Sequence, residues 1–372
     1  MAARRGLPGA PTAARRDAPH RDVSASAARV AVIVVNWNGR HHLERCLPAL
    51  RAQTLGQHRV TVVDNGSTDG SPAWLRAHWP DVDVLALERN VGFAAANNRA
   101  LERAAGPWVA LVNNDAVPEP TWLEALVTAG EARPGVGSVA SLMLFDHAPG
   151  VVNSAGIAVD PTGIAWDRLG GAPVALAQDA CEVFGASAGA GLFLRQALDD
   201  ASEPAGGAGS APFDERFFMF MEDVDLAWRL RLRGWSARYA PGARVRHVGS
   251  ASAGEGSPFK NRLLARNKVW TVVKDYPTLP LLARLPLVLG YDLASAPYRL
   301  LVQGQSAALL GRADALRGLR PVLAQRRAVQ ARRLAPWAAI RAVMHPLEAP
   351  WRVPQRYRHL APGGAARRRE RR

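Results

Sequence analysis

Arg29-Val-Ala-Val-Ile-Val-Val-Asn36 is an unbroken run of β-branched and small apolar residues that ends on a polar one. A strand buried on one face alternates, whereas a continuous run suits a parallel strand covered on both faces. The pattern recurs downstream. Val60-Thr-Val-Val-Asp64, Val82 to Leu87 and Trp108-Val-Ala-Leu-Val112 read as further strands, with helices predicted over 41–53, 71–78 and 97–105. Strands alternating with helices at this spacing predict an open, mostly parallel α/β sheet flanked by helices. Such sheets bind ligands beyond the carboxyl ends of their strands, so function is to be sought in the residues that follow each one.

Four of those ends are polar: Asn36-Trp-Asn38, Asp64-Asn65, Glu88-Arg-Asn90 and Asn113-Asn-Asp115. One polar strand end is ordinary; four on one edge mark a site. The second half of the chain reads differently. Strands are predicted at 139–144, 156–159 and 192–194, then an Ala/Gly/Pro/Ser surface loop at 201–212. The aromatic stretch Phe217 to Met221 leads into a helix from Glu222 to Arg233 that Gly234 stops. A strand over 238–248 and basic helices after Lys260 complete the chain, with no internal repeat.

The net charge of +15 on 372 residues suggests nucleic acid until it is located. Sixteen arginines face three acids between 312 and 372, and six face two between 1 and 29, which leaves the middle slightly acidic. Basic ends suit phosphates of nucleic acid or of lipid headgroups. Trp337, Trp351 and Tyr357 in the tail favour a membrane interface. Cys46 and Cys181 are too few for a disulfide framework or a zinc cluster and read as free thiols in a reducing compartment. Residues 1–28 lack the apolar stretch of a signal peptide and read as a disordered basic leader. The apolar run Leu279 to Gly290 is broken by Arg284 and two prolines, and falls short of the ~20 residues of a spanning helix. Gly185 to Gly191 lacks the three spaced glycines of a dinucleotide loop, which argues against a nicotinamide site.

Six segments, in order, resemble glycosyltransferase family 2, whose members are inverting enzymes with the A-type nucleotide-sugar fold. They are Val34-Val-Asn-Trp-Asn-Gly39, Val63-Asp-Asn-Gly-Ser-Thr-Asp69, Asn90-Val-Gly-Phe-Ala-Ala-Ala-Asn97, Leu111-Val-Asn-Asn-Asp115, Phe213-Asp-Glu-Arg-Phe-Phe-Met-Phe-Met-Glu-Asp-Val-Asp-Leu226 and Arg246-His-Val-Gly-Ser250. The resemblance covers residues 29–275. It implies a single A-type glycosyltransferase domain there, after the 1–28 leader and before a basic helical extension over 276–372.

The resemblance also implies roles. Asn36 and Trp37 fall where the family sets a small polar residue and an aromatic against the nucleobase. Asp64 and Asn65 fall where it often has two aspartates, one accepting from the base N–H. Asn65 in the second place leaves open which residue contacts the base, and whether that base is uracil or thymine. Asn90 and Gly92 begin a loop whose backbone approaches the donor, as glycine permits. Asn113-Asn114-Asp115 occupies the Asp-x-Asp position. Asp115 is then a metal ligand, Asn114 lies along the donor, and Asn113 replaces the first carboxylate and lowers the charge of the ligand set. A diphosphate leaving group gathers negative charge that a divalent ion neutralises, and oxygen ligands suit Mg²⁺ or Mn²⁺. His247 stands where a subset of relatives supplies a further ligand. Asp223 matches the base that takes the acceptor hydroxyl's proton, with Glu222 orienting the acceptor or sharing the site. Asp225, one turn before Arg229, reads as a helix pair.

These features imply an inverting, metal-dependent transferase using a dTDP- or UDP-sugar and a saccharide or lipid-linked acceptor. The motif versions are most similar to rhamnosyltransferase-type members of cell-surface polysaccharide synthesis, which points to dTDP-rhamnose. The expected location is cytoplasmic, peripheral on the inner membrane face, with the basic tail on anionic lipid. Two alternatives stand beside it. A nucleotidylyltransferase would need a basic glycine-rich loop after the first strand, and a nucleic-acid-binding protein would lose its function without residues 312–372. The transferase reading predicts instead that residues 29–311 retain donor hydrolysis.

Overall fold

The computed structural model describes residues 28–204, 210–248, 257–303 and 306–347. The leader to residue 27, the tip of the 201–212 loop, Gly249 and Ser250, and the tail from 348 with Trp351 and Tyr357 lie outside the described residues. The first half runs β1 (Val30–Asn36), α1 (Arg40–Arg51), β2 (His58–Asp64), α2 (Ser71–His78), β3 (Asp83–Ala86), α3 (Phe93–Leu101) and β4 (Trp108–Asn113). Then come β5 (Ala116–Pro118), α4 (Trp122–Glu131), β6 (Val136–Phe145), β7 (Ala148–Ser154), β8 (Ile157–Val159), β9 (Ala165–Asp167), β10 (Cys181–Glu182) and β11 (Ala190–Leu194). The remainder is α5 (Arg195–Ala201), β12 (Glu203–Pro204), β13 (Ser210–Ala211), α6 (Glu222–Leu232) and β14 (Ser236–His247), followed by helices. These are α7 (Pro258–Asp275), α8 (Thr278–Gln303), α9 (Ala307–Arg317), α10 (Leu319–Ala331) and α11 (Trp337–Ala342).

The main sheet has the order β10-β14-β6-β11-β4-β1-β2-β3, with β5 on β14 and β7 on β6. The four strands β3, β2, β1 and β4 are parallel neighbours, as their continuous apolar runs predict. β1 is covered on both faces. Val30, Val32 and Val34 pack with Leu43, Leu47 and Trp122 from α1 and α4. Ile33 packs on the opposite side with Ala94, Ala96 and Leu226 from α3 and α6. The second half is mixed: β11 enters antiparallel between β4 and β6, and β14 lies parallel to β6. This arrangement brings the ends of β14 and β4 to one edge, since His247 pairs opposite Ala116 just after β4.

Two local expectations change. The helix predicted over 97–105 begins at Phe93 and ends at Leu101. Gly92, at φ +91°, breaks the chain just before it, and the alanine run that follows has the highest helix propensity available. Helix α4 and the second strand of the β8–β9 hairpin were missed: α4 carries a Thr121-x-x-Glu124 capping pattern that marks its start, whereas the three-residue strand carries no mark of its own.

The helices after 276 pack into the same body. Leu232 O accepts from Leu334 N and Ala335 N at 2.9 and 3.0 Å, and Val159 O accepts from His345 N at 2.8 Å. Trp270 on α7 donates to Ala315 O at 3.0 Å, and Arg326 on α10 donates to Tyr276 O at 2.8 Å. Phe217, Trp270, Ala315 and Val322 form one buried cluster beneath the entry to α6. Cys46 is buried, and burial pushes its thiol up to about 12, so it is inert as expected.

Candidate active site

The ends of β1, β2 and β4 are tied together by amide and carboxylate side chains. Asn36 Nδ2 donates to Asp64 Oδ2 at 3.1 Å, and Asn114 Nδ2 donates to Asn36 Oδ1 at 2.8 Å. Asp64 Oδ1 accepts from Ser67 N at 2.9 Å. Asn65 donates to Asn90 Oδ1 at 3.0 Å and accepts from Val91 N at 2.9 Å. Thus Asn36, Asp64, Asn65, Asn90 and Asn114 come together, and they hold one another and the loops that carry them. A Cβ on Gly39 would overlap Asn114 Nδ2, and one on Gly92 would meet Phe218 at 2.6 Å. Gly92 therefore serves close approach of the 90–92 loop to the turn before α6. Trp37, 40% exposed, leaves an aromatic face open beside this frame, as stacking on a base requires.

Asp115 and His247 meet at the other end of the edge. His247 Nε2 lies 3.1 Å from Asp115 Oδ1 and 3.3 Å from Asn113 Nδ2. Its Nδ1 faces Asn153 Oδ1 at 3.0 Å and donates there, which aims Nε2 at Asp115. Burial pushes the Asp115 carboxyl up, but the hydrogen bond and charge of His247 outweigh it, and Asp115 lies below its ordinary value. An imidazole nitrogen and a carboxylate oxygen that face each other are a donor pair that a divalent cation would take in place of the proton between them. Asn113 turns its Nδ2 to His247 and acts on the ring's orientation. Among the described residues no three His, Cys, Asp or Glu gather as a metal set. An ion here would draw its remaining ligands from elsewhere.

Asp223 lies in the first turn of α6. Its Oδ2 accepts from Ala188 N at 3.1 Å and its Oδ1 from Val224 N at 2.8 Å. Ala188 is followed by Gly189, whose carbonyl accepts from Asn113 N at 2.8 Å. One short stretch therefore holds the Asp223 carboxylate and the end of β4. Burial raises Asp223 above its ordinary value, against the pull of Ala188 N–H, Ser187 and Val224 N–H. Glu222 is buried, its Oε2 has no hydrogen-bond partner, and burial with the neighbouring Asp223 pushes it well up.

The approach to Asp223 is strained. Phe218, Phe220 and Met221 have φ of 65°, 66° and 68°, a region that bulky side chains rarely adopt. Asn267, buried on α7, donates to the carbonyls of Phe217, Met219 and Phe220 at 3.0, 3.0 and 2.7 Å and fixes the turn. Asp225 pairs with Arg229 at 2.7 Å, as the one-turn spacing predicts. It also belongs to a larger buried network: Lys274 contacts Asp225, and lies 3.1 Å from Asp214 and 3.3 Å from Glu203.

A model of glycosyl transferase family 2 matches residues 31–200. An N-acetylglucosaminyl-diphospho-decaprenol L-rhamnosyltransferase of Mycobacterium tuberculosis is 32% identical over 251 residues, covering 60% of this chain and 77% of that protein. The chain belongs to glycosyltransferase family 2. A family 2 chain is a glycosyltransferase, and the nucleotidylyltransferase and nucleic-acid alternatives lapse. An O-antigen biosynthesis protein of Myxococcus xanthus is 33% identical over 232 residues, covering 59% of this chain but 17% of that longer protein. The crystal structure of GalNAc-T7 with UDP, GalNAc and Mn²⁺ matches with TM-score 0.52 at 15% identity, covering 67% of this chain and about half (48%) of that one. That likeness establishes the shared fold.

Several residues of this family 2 site were not found from sequence. Asn153, Ser187 and Asn267 act through contacts with residues far along the chain, and no local pattern marks them. His42, read as an exposed helix start, is half-buried, and the charges of Asp115 and His247 act on it.

Proposed function

We propose that this chain is an inverting transferase that moves rhamnose from dTDP-rhamnose to a lipid-linked saccharide at a membrane face. The observation that supports the mechanism is the shared 188–189 stretch, which holds both the Asp223 carboxylate and the end of β4 that leads to Asp115. Asp223 takes the proton of the acceptor hydroxyl, that oxygen bonds to the anomeric carbon, and the carbon–phosphate oxygen bond breaks on the opposite side. The nucleoside diphosphate departs with the bonding electrons, and the configuration inverts. Asp115 and His247 would hold Mg²⁺ or Mn²⁺, which would neutralise the diphosphate charge, while Asn113 and Asn153 orient His247. The Asn36–Asp64–Asn65–Asn90 frame shapes the base pocket, with Trp37 against the ring. Support for rhamnose and for a lipid-linked acceptor comes from the name of the mycobacterial relative and from the motif versions.

For membrane contact, the exposed side chains Leu279, Leu282, Leu285 and Leu289 repeat at helical spacing on one side of α8. Between 306 and 347 eight arginines face a single acid, Asp314. Apolar area and positive charge together suit peripheral attachment to anionic lipid. Among the described residues no helix is long and apolar enough to cross a membrane. A donor screen tests the chemistry: turnover of dTDP-rhamnose with Mn²⁺, lost with chelator, is expected, and its absence removes the rhamnosyl assignment. Failure of anionic liposomes to retain the protein at low salt removes the membrane assignment.

A further inference from the structure

Gly185, Gly189 and Gly191 lie in the stretch that runs into β11, and packing demands the first and the last of them. A Cβ on Gly185 would overlap that of Ala227 on α6, and one on Gly191 would lie 2.7 Å from Ser187 O. Gly189 differs. Its φ is not in the left-handed region. A Cβ there would meet only the ends of side chains: Asn113 Nδ2 at 3.3 Å, and Met143 Cε and Ser187 Oγ at 3.4 Å each. An alanine would need only small shifts, so neither backbone nor packing accounts for the bare position. Close approach of a ligand to the backbone is the remaining use of a glycine.

Its place fits such a use. Gly189 O accepts from Asn113 N at the end of β4, and the neighbouring Ala188 N–H holds the Asp223 carboxylate. From 183 to 193 only Ser187 and Gly189 keep part of their surface open, and Asn113 and Asp223 are half-buried likewise. Ser187 Oγ accepts from Gly189 N at 3.2 Å, which fixes the hydroxyl beside the bare position and uses one of its two acceptor sites. An amide N–H, a hydroxyl and a thioether methyl around a missing side chain suit a sugar ring, which carries both hydroxyls and an apolar C–H face.

We propose that the bare position at Gly189, flanked by Ser187 and Asn113, receives the transferred sugar of the donor. The missing side chain lets the ring lie against the backbone, and the Ser187 hydroxyl bonds one of the ring's hydroxyls. Position 189 thereby limits the size of the sugar that is transferred. The inference rests on the proposed reading of Asp115, His247 and Asp223, which sets that sugar between diphosphate and base.

The test measures binding to the full chain with Mn²⁺ present, comparing dTDP with dTDP-rhamnose in wild type, Gly189→Ala and Ser187→Ala. The added methyl is expected to weaken dTDP-rhamnose about tenfold or more. Loss of the hydroxyl is expected to weaken it about threefold to tenfold. dTDP, which has no sugar, is expected to bind both variants as it binds wild type. A distortion passed through Asn113 to the metal centre would weaken both ligands alike, so the difference between them is the readout. Affinity for dTDP-rhamnose within about twofold of wild type in Gly189→Ala, or a parallel loss of dTDP, overturns the subsite. Should Gly189→Ala melt early, Ser187→Ala decides by the same criterion. A wild type that fails to bind dTDP-rhamnose contradicts a different claim, the donor assigned under the proposed function, and takes the subsite with it.

Discussion

Asp223, the proposed base, has its carboxyl raised by burial, and a base works only when deprotonated. Transfer therefore falls as pH drops through a value above the ~4 of an ordinary aspartate. A profile of kcat/KM against pH is expected to show its acid limb there; a limb at or below ~4 contradicts the assignment. Asp223→Asn is expected to lower kcat by about 10²- to 10⁴-fold with little change in donor KM. At the other centre, Asn153→Ala frees the His247 ring from the partner that fixes its tautomer. Removing such a partner costs about 10–100-fold in metal affinity, read as a rise in the Mn²⁺ concentration for half-maximal activity. Asp115, Asp223 and His247 were legible because each sits inside a run with its own signature: a strand end, a helix start, a strand end. Asn153 was not, since a lone polar residue in a short strand says nothing until the fold shows what it faces. The strand-end asparagines were found as a group, but their sequence gave no sign that they would bond mainly to each other.

The element that decides the site's geometry is the turn from Phe217 to Met221 with α6 behind it. Three residues at positive φ put α6 at an angle the chain would not choose unaided, and α7 holds them there through Asn267. Asn267→Ala leaves buried carbonyls without a donor, at about 1–3 kcal/mol of stability. It is also expected to lower kcat more than either KM, because Asp223 moves with the turn. A chemical denaturation series and steady-state kinetics on the same variant separate the two effects. Lys274, fully buried among Asp225, Asp214 and Glu203, fastens α7 to α6. Lys274→Met strands those carboxylates and is expected to cost about 3–5 kcal/mol. The α6 helix itself was legible from its acidic first turn and Gly234 stop. The turn was not, because Phe, Met and Phe carry no mark of left-handed backbone, which sequence signals only through glycine or asparagine.

At the scale of the whole molecule, the first half of the sheet follows from β-branched runs and strand-end polarity. The mixed second half does not, since β11 and β14 take their places from tertiary pairing between distant segments. The C-terminal helices look separable by composition, yet Ala315 and Val322 complete the cluster around Trp270 and Phe217 that lies under the strained turn. The packing thus reverses the expectation from charge alone: a chain ending at 311 is expected to lose stability and activity together. A chain ending at 347 keeps every described contact and is expected to retain donor turnover, with weaker retention by anionic liposomes. Co-sedimentation and hydrolysis assays on the two truncations check this.

On the proposed mechanism one sugar is gripped through its diphosphate at Asp115 and His247 while Asp223 faces it from the acceptor side. A crystal structure with a nucleoside diphosphate and Mn²⁺, phased on the anomalous signal of the metal, tests it most directly. The expected result is one manganese peak bound by Asp115 and His247 and touching the diphosphate, with the Asp223 carboxylate facing the open end of that phosphate. A manganese peak or a diphosphate bound away from this pair, or Asp223 turned away from the diphosphate, contradicts it.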